Sequence, residues 1–376
     1  PITEMITGLD LVEWQLRVAA GEPLPLSQHQ LQIHGHALEA RIYAEDPGKS
    51  FLPATGRLAR LTPPEENLHV RVDSGVEEGD EIGPFYDPMI AKLIVWDADR
   101  ERALARMLRA LAQYRVVGVA NNIDFLSRLV ASPAFSRAEL DTDLIERERE
   151  FLFPSQASIP RDVFLVAALA TLLREEARAR VEAADHADPF SPWHGRDGWR
   201  LNSSAERRLL FRAGELEKVV RVRYVEGGHE LAFDGQATRV RGELGPDDTL
   251  RADLNGLRLN ATVVVAGERR YVFLHGRTWH LTRIDPLYRG GEGGGPEGGL
   301  LAPMPGNVIA LLAREGDRVA KGTPLLVLEA MKMEHTITAP ADGTVKAFRF
   351  AVGEQVGDGA ELVEFAAETA RAAPSA

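Results

Sequence analysis

The sequence contains no cysteine. Disulfides, thiolate nucleophiles and cysteine-ligated metals are therefore excluded, and a reducing, cytoplasmic setting is the expected one. Long apolar runs are missing as well. Hydrophobic residues make up 44% and charged residues 27%, the balance of an ordinary globular protein, and no stretch reaches the length a membrane span needs. Basic clusters are also absent. With 56 acidic against 44 basic residues and a formal net charge of -12, the chain lacks the Lys/Arg stripe that nucleic-acid phosphates demand. Partners are expected among proteins and small molecules, with no nucleic acid and no membrane. The opening "PITEMITGLDLVEWQ" begins with Pro1 and has the pattern of neither a signal peptide nor a transit peptide. It reads as a piece whose natural start lies upstream.

What is present falls into blocks. At 376 residues the chain is long enough for two or three domains. Asp10 is placed to cap a helix carrying Leu11, Trp14 and Val18 at i, i+3 and i+7, which Gly21 and Pro23 end. The stretches "HALEARIYAEDP", "RLARL", "HVRVDSGV" and "MIAKLIVW" read as strands between Pro/Gly turns. A second helix is predicted from about Asp99 to Tyr114, and a third in "NNIDFLSRLVAS". The expectation is a multidomain α+β chain in which residues 1–150 form a mixed α/β lobe with an antiparallel sheet. From Pro160 to about Ala184 the sequence predicts a helix, apolar in its first half and charged in its second. The many short strands that follow predict an antiparallel β-barrel or curled sheet around that helix, over residues 160–288.

Seven of the ten residues 290–299, "GGEGGGPEGG", are glycine, which predicts a flexible tether over 289–299. Beyond it, residues 300–367 repeat internally with an offset of 37, superposing Pro303 on Pro340, Gly306 on Gly343, Gly316 on Gly353, Val319 on Val356 and Leu325 on Leu362 without a gap. Two copies of a unit that cannot bury an apolar face alone should pack into a small pseudo-symmetric β-sandwich. "EAMKME" then falls at the hairpin joining the copies, with Lys332 between Met331 and Met333 and after Ala330. A lysine at the tip of a tight hairpin, on a small rigid unit hung from a tether, suits the attachment of a swinging prosthetic group. The plainer alternative is a solvated turn lysine flanked by core methionines; the tether and the symmetric halves favour the carrier. Residues 368–376 read as a disordered tail.

With "APMPG" upstream, "EAMKMEH" resembles the biotin carboxyl carrier domain of biotin-dependent carboxylases. The lipoyl domain shares the fold but usually has Asp and Ala where Met331 and Met333 stand here. The resemblance implies biotin joined covalently to Lys332 by a biotin protein ligase that reads the hairpin, with Ala330, Met331 and Met333 as the motif around it. Residues 1 to about 150 resemble the C-terminal lobe of biotin carboxylase through "PITEMITGLDLVEWQ", "GHALEARIYAEDP", "VRVDSGVEEGDEI", "FYDPMIAKLI" and "GVANNIDFL". In that family the arginine of the "E-x-R-I-x-A-E-D" block, here Arg41, holds the biotin ureido oxygen, a fixed charge placed where negative charge develops. Taken alone, the residues favour an ordinary ion pair from Arg41 to Glu39 or Glu45; the block match reverses that weighting. Asp87 in "FYDPM" is expected near that site or at the family's dimer contact.

In the family an ATP-grasp lobe precedes the "P-[IV]-T-E-M" block with which this chain begins. Most ligands of ATP and magnesium are therefore expected to be missing, the fragment alone is expected to be inactive, and no metal ligand is assigned. Two look-alikes are set aside: "DPGKS" has Tyr43 where a phosphate loop needs glycine, and "HGH" at 34–36 has no third ligand at supporting spacing. Residues 160–288 resemble the linking domain of acyl-CoA carboxylase α-subunits. "DPFSPWHGRDGWRLN" is its best local marker and is closest to bacterial 3-methylcrotonyl-CoA carboxylase; Trp193 and Trp199 are interface anchors or core residues. The resemblance implies an α–β hetero-oligomer. It also implies a parent that carboxylates biotin with ATP and bicarbonate and passes the carboxyl group to a carboxyltransferase β-subunit, with 3-methylcrotonyl-CoA in leucine degradation as the expected substrate. Propionyl-, acetyl- and geranyl-CoA remain open as substrates, and a non-catalytic biotin or lipoyl carrier protein remains open as a reading of another class.

Overall fold

The computed structural model describes the chain except for residues 155–157, 189–190, 192–193, 195–197, 199, 202–204, 286–298, 331–332, 358 and 368–376. Most of the expected tether, the tail, Trp193, Trp199, Met331 and Lys332 therefore lie outside the described residues.

The first unit is built on Met89–Asp97, the middle strand of a three-stranded antiparallel sheet flanked by His36–Tyr43 and Val70–Ser74. The strand is apolar on both faces, and Ile90, Leu93, Ile94 and Val95 are fully buried. Helix Arg100–Gln113 starts where Asp99 Oδ1 accepts from the Arg102 N–H at 2.8 Å. Its apolar stripe of Leu104, Met107, Ala110 and Leu111 joins the same core as the sheet, and Ala103 is buried as well. Helix Leu11–Ala19 also forms as predicted, with Asp10 accepting from the Glu13 N–H at 2.9 Å, but none of its residues is buried. Its stripe does not join the core of this unit.

The second unit is a closed barrel of eight antiparallel strands from Glu206–Ala213 to Arg277–Ile284, with helix Arg161–Ala184 inside it. The first half of that helix is apolar all round, so it can only be satisfied by enclosure. Every residue from Val163 to Leu172 is buried, and the one hydroxyl among them, on Thr171, donates to the Ala167 carbonyl at 2.8 Å. Inward residues alternate along the strands, as at Val220, Val222, Leu231 and Phe233. Gly242 lets the wall approach the helix: a Cβ there would stand 2.6 Å from the Arg251 carbonyl and 3.2 Å from Leu169. Where the helix emerges it turns polar. Glu175 pairs with Arg207 and, at 3.2 Å, with Arg283, while Arg174 pairs with Asp248 at 2.6 Å.

These two units share a seam. Val117 of the first packs with Val264, Tyr271 and Phe273 on the outside of the barrel, and Asp248 binds Arg60 of the first unit as well as Arg174 of the barrel helix. Asp248 has a φ of 63°, a left-handed conformation that aspartate tolerates better than most residues.

The third unit is two four-stranded sheets. Gly306–Leu311, Arg318–Val319 and Pro324–Ala330 recur 37 residues later as Gly343–Phe348, Gln355–Val356 and Glu361–Ala367. The halves do not each make one sheet: Arg318–Val319 pairs with Gly343–Phe348, and Gln355–Val356 with Gly306–Leu311. This exchange lets both short strands find a partner edge and ties the copies around one core. The two leading glycines are held by the same close approach. A Cβ on Gly306 would meet the Glu329 carbonyl at 2.7 Å, and one on Gly343 the Ala366 carbonyl at 2.4 Å. No helix among the described residues is long and apolar enough to cross a membrane.

Candidate functional site

Two places carry the residues singled out by sequence. In the third unit, Pro324–Ala330 and Met333–Thr338 run antiparallel with Ala330 opposite Met333, Leu328 opposite His335 and Leu326 opposite Ile337. Leu326, Leu328 and Ala330 are buried, so this face of the hairpin is anchored in the core. Ala330 lies against Gly306, whose added Cβ would come within 3.2 Å of it. Ala302 and Met304 of "APMPG" are buried as well. By sequence, Met331 and Lys332 join the two paired strands; Met333 opens the return strand.

His335, which the sequence reading did not single out, lies three residues beyond Lys332. Burial lowers its pKa below the usual histidine value, and its Nε2 is buried with no hydrogen-bond partner among the described residues. Its only signal in the sequence was the alternation that also places Ile337 inward.

The second place is the end of strand His36–Tyr43. Glu39, Arg41 and Tyr43 share the face opposite the buried Ala40 and Ile42. The Arg41 side chain is 59% exposed, with its Nε donating to Glu39 Oε1 at 3.3 Å. The Tyr43 hydroxyl first and Glu39 second hold the guanidinium above its ordinary pKa. The ordinary ion pair allowed by the sequence is therefore present toward Glu39, but such an exposed pair is weak and leaves the guanidinium open.

Glu45 is engaged elsewhere. Its Oε1 accepts from Asn122 Nδ2 at 2.9 Å; burial raises its pKa, the Asn122 bond opposes this, and the nearby charge of Asp87 adds to it. Asp87 is exposed, and its Oδ1 accepts from the Met89 N–H at 3.0 Å. Its loop is fastened to the Arg41 strand by the Ala44 N–H, which donates to the Pro88 carbonyl at 2.8 Å.

Asn122 is the residue that sequence reasoning missed here. It is buried; its Oδ1 accepts from the Tyr43 N–H at 3.0 Å and its Nδ2 donates to the Arg41 carbonyl at 3.1 Å. An asparagine just before a helix reads as a helix cap, yet Asn122 makes no side-chain cap bond to helix Ile123–Ala131. No group of three His, Cys, Asp or Glu side chains among the described residues could hold a metal ion.

Comparison with known proteins agrees with this division. Residues 39–147 match the family model "Biotin carboxylase C-terminal domain", residues 160–286 "Methylcrotonyl-CoA carboxylase, alpha-subunit, BT domain", and residues 299–365 "Biotin-requiring enzyme". Residues 1–27 match "Carbamoyl-phosphate synthase L chain, ATP binding domain". The chain is 40% identical over 373 residues to the mitochondrial methylcrotonoyl-CoA carboxylase subunit alpha of Mus musculus, covering 98% of this chain and 52% of that protein. It is 40% identical over 371 residues to the corresponding subunit of Dictyostelium discoideum, covering 95% and 52%. To the mitochondrial propionyl-CoA carboxylase alpha chain of Caenorhabditis elegans it is 33% identical over 362 residues, covering 90% and 49%. The chain thus spans about half the length of the curated relatives it matches. Three successive module matches, and likeness along nearly all of this chain, show its similarity to the corresponding half of methylcrotonoyl-CoA carboxylase alpha subunits.

Proposed function

We propose that this chain is the carboxyl-carrying part of an acyl-CoA carboxylase α-subunit. Biotin joined as an amide to Lys332 would serve as the carrier of the carboxyl group between two active sites. The observation that supports this most is the paired hairpin. Strands ending at Ala330 and beginning at Met333 leave two residues to join them, on a unit whose core is made elsewhere. Such a connection offers the Lys332 amine to a ligase without disturbing packing, with Ala330, Met331 and Met333 as the surrounding motif. The residues fit an attached group on this ground, and no ATP or magnesium ligand is assigned to the chain.

Arg41 is the residue we assign to binding the reacting end of biotin. Its guanidinium is exposed, permanently charged and held by Tyr43 and Glu39. Asp87, on the loop fastened beside it, shapes the same region through Glu45. The acceptor of the carboxyl group is a carboxyltransferase β-subunit, docked on the barrel in an α–β hetero-oligomer. The substrate we favour is 3-methylcrotonyl-CoA, since likeness to those α-subunits exceeds that to the propionyl-CoA enzyme. A cytoplasmic setting agrees with the absence of cysteine.

The test is the intact mass and avidin capture of this chain coexpressed with a biotin protein ligase, with the modified peptide sequenced. Biotin on Lys332 is expected; lipoate there, or a bare lysine beside an active ligase, would overturn the reading. In the full-length α-subunit, Arg41→Gln is expected to lower kcat for biotin carboxylation about a hundredfold, with KM for ATP unchanged. A wild-type kcat in that variant removes Arg41 from the site.

A further inference from the structure

Strand His36–Tyr43 is an edge strand, paired only with Met89–Asp97 among the described residues. Its ladder also breaks at the position that matters. The register passes from Ile42 opposite Ala91 to Tyr43 opposite Met89, so Ile90 has no partner. An edge strand that ends in a bulge has little of its own to fix the direction of Arg41. The Arg41 side chain adds its contacts to Tyr43 and Glu39, both on the same exposed face of its own strand.

The Asn122 carboxamide supplies what the edge lacks. A peptide group in a neighbouring strand would offer one acceptor and one donor to the N–H and C=O on that edge. Asn122 offers both: Oδ1 to the Tyr43 N–H at 3.0 Å and Nδ2 to the Arg41 carbonyl at 3.1 Å. The Asn122 N–H adds a bond to the Tyr43 carbonyl at 3.3 Å. The second Nδ2 donation, to Glu45 at 2.9 Å, brings the side chain beyond the bulge into the same frame.

We infer that Asn122 is a positioning residue for Arg41, its carboxamide standing in for a missing strand neighbour and so fixing where the guanidinium stands. The inference rests on the role proposed above for Arg41. It explains why a residue at a helix start gives its side chain to a strand instead of to its own helix. Aspartate has the same shape but cannot do this, because its carboxylate would face two acceptors, the Arg41 carbonyl and Glu45, with no proton to donate.

Two arms test it, with Asn122→Ala and Asn122→Asp. In this chain, NMR follows the Arg41 Nε–H correlation and the Glu45 carboxyl titration. Both variants are expected to shift or broaden the first and to move the second upward, since the Asn122 bond holds it down, while the remaining spectrum persists. In the full-length α-subunit, kcat for carboxylation of free biotin is expected to fall roughly 10- to 100-fold, the usual result of a small misplacement, with KM for ATP unchanged. If Asn122→Ala fails to fold, the isosteric Asn122→Asp supplies the comparison. Wild-type kcat in the variants overturns the positioning role and leaves the proposed function standing. A loss that raises KM for ATP equally shows a general structural role and also overturns it. A wild-type protein that carboxylates no biotin overturns the proposed function, and an Arg41 correlation unmoved by both variants then overturns the positioning role on its own.

Discussion

Lys332→Ala is expected to remove all biotin from the chain while the third unit stays folded. Ligation makes an amide with a primary ε-amine, so Lys332→Arg, which keeps the charge but not that nucleophile, is expected to fail as completely. The fold should survive because the core among the described residues is made by other side chains. Val308, Leu326, Leu328, Val345, Leu362 and Val363 form it, and the register of the two flanking strands is set by residues from Pro324 to Ala330 and from Met333 to Thr338. A substitution away from the core changes stability by about 0.5 kcal/mol or less. Avidin capture and intact mass read the first effect; amide exchange in Pro324–Ala330 and Gly343–Phe348 reads the second. Loss of protection in those strands would show that the lysine carries packing, contrary to the hairpin reading.

The largest stability effect is expected inside the barrel. Phe164 is 1% exposed, in the first turn of the enclosed helix, with its ring stacked on Phe233 at 4.8 Å between centroids. Phe164→Ala removes that ring from a space closed on all sides by strands, where the surroundings collapse little. The cost is therefore about 3–5 kcal/mol, at the level of other buried aromatic truncations. Denaturant unfolding, with amide exchange over Val163–Leu172 as the local probe, reads it. The third unit has its own core cluster, which shares no residue with that of the barrel. Biotin attachment to Phe164→Ala should therefore equal that of the wild type. A joint loss would mean that the barrel and the carrier fold as one.

Much of this was legible in the residues. Asp10 and Asp99 mark two helix starts because a carboxylate before an apolar stripe satisfies free N–H groups locally. The enclosed helix was visible as an apolar run without a polar face, followed by short alternating strands that had to cover it. The third unit was legible to the residue, since the 37-residue offset found in the sequence is the offset between its strands. Arg41 and Lys332 were singled out by motif, and their roles remain proposals that the open guanidinium and the paired strands Pro324–Ala330 and Met333–Thr338 support.

The sequence by itself therefore determined the elements, their order along the chain and the repeat, because caps, periodicity and offset are properties of neighbours along the chain. Only the tertiary structure decided which distant edges meet. It exchanged Arg318–Val319 and Gln355–Val356 between the two sheets, set Val117 against Val264 and Tyr271 at a seam no pattern announced, and joined Arg60 to Arg174 through Asp248. It also gave the Asn122 side chain to a strand beginning more than eighty residues earlier. Periodicity tells which face of an element is apolar; it carries no information on which remote N–H or carbonyl lies within hydrogen-bond reach, and that is fixed only when the whole chain has closed.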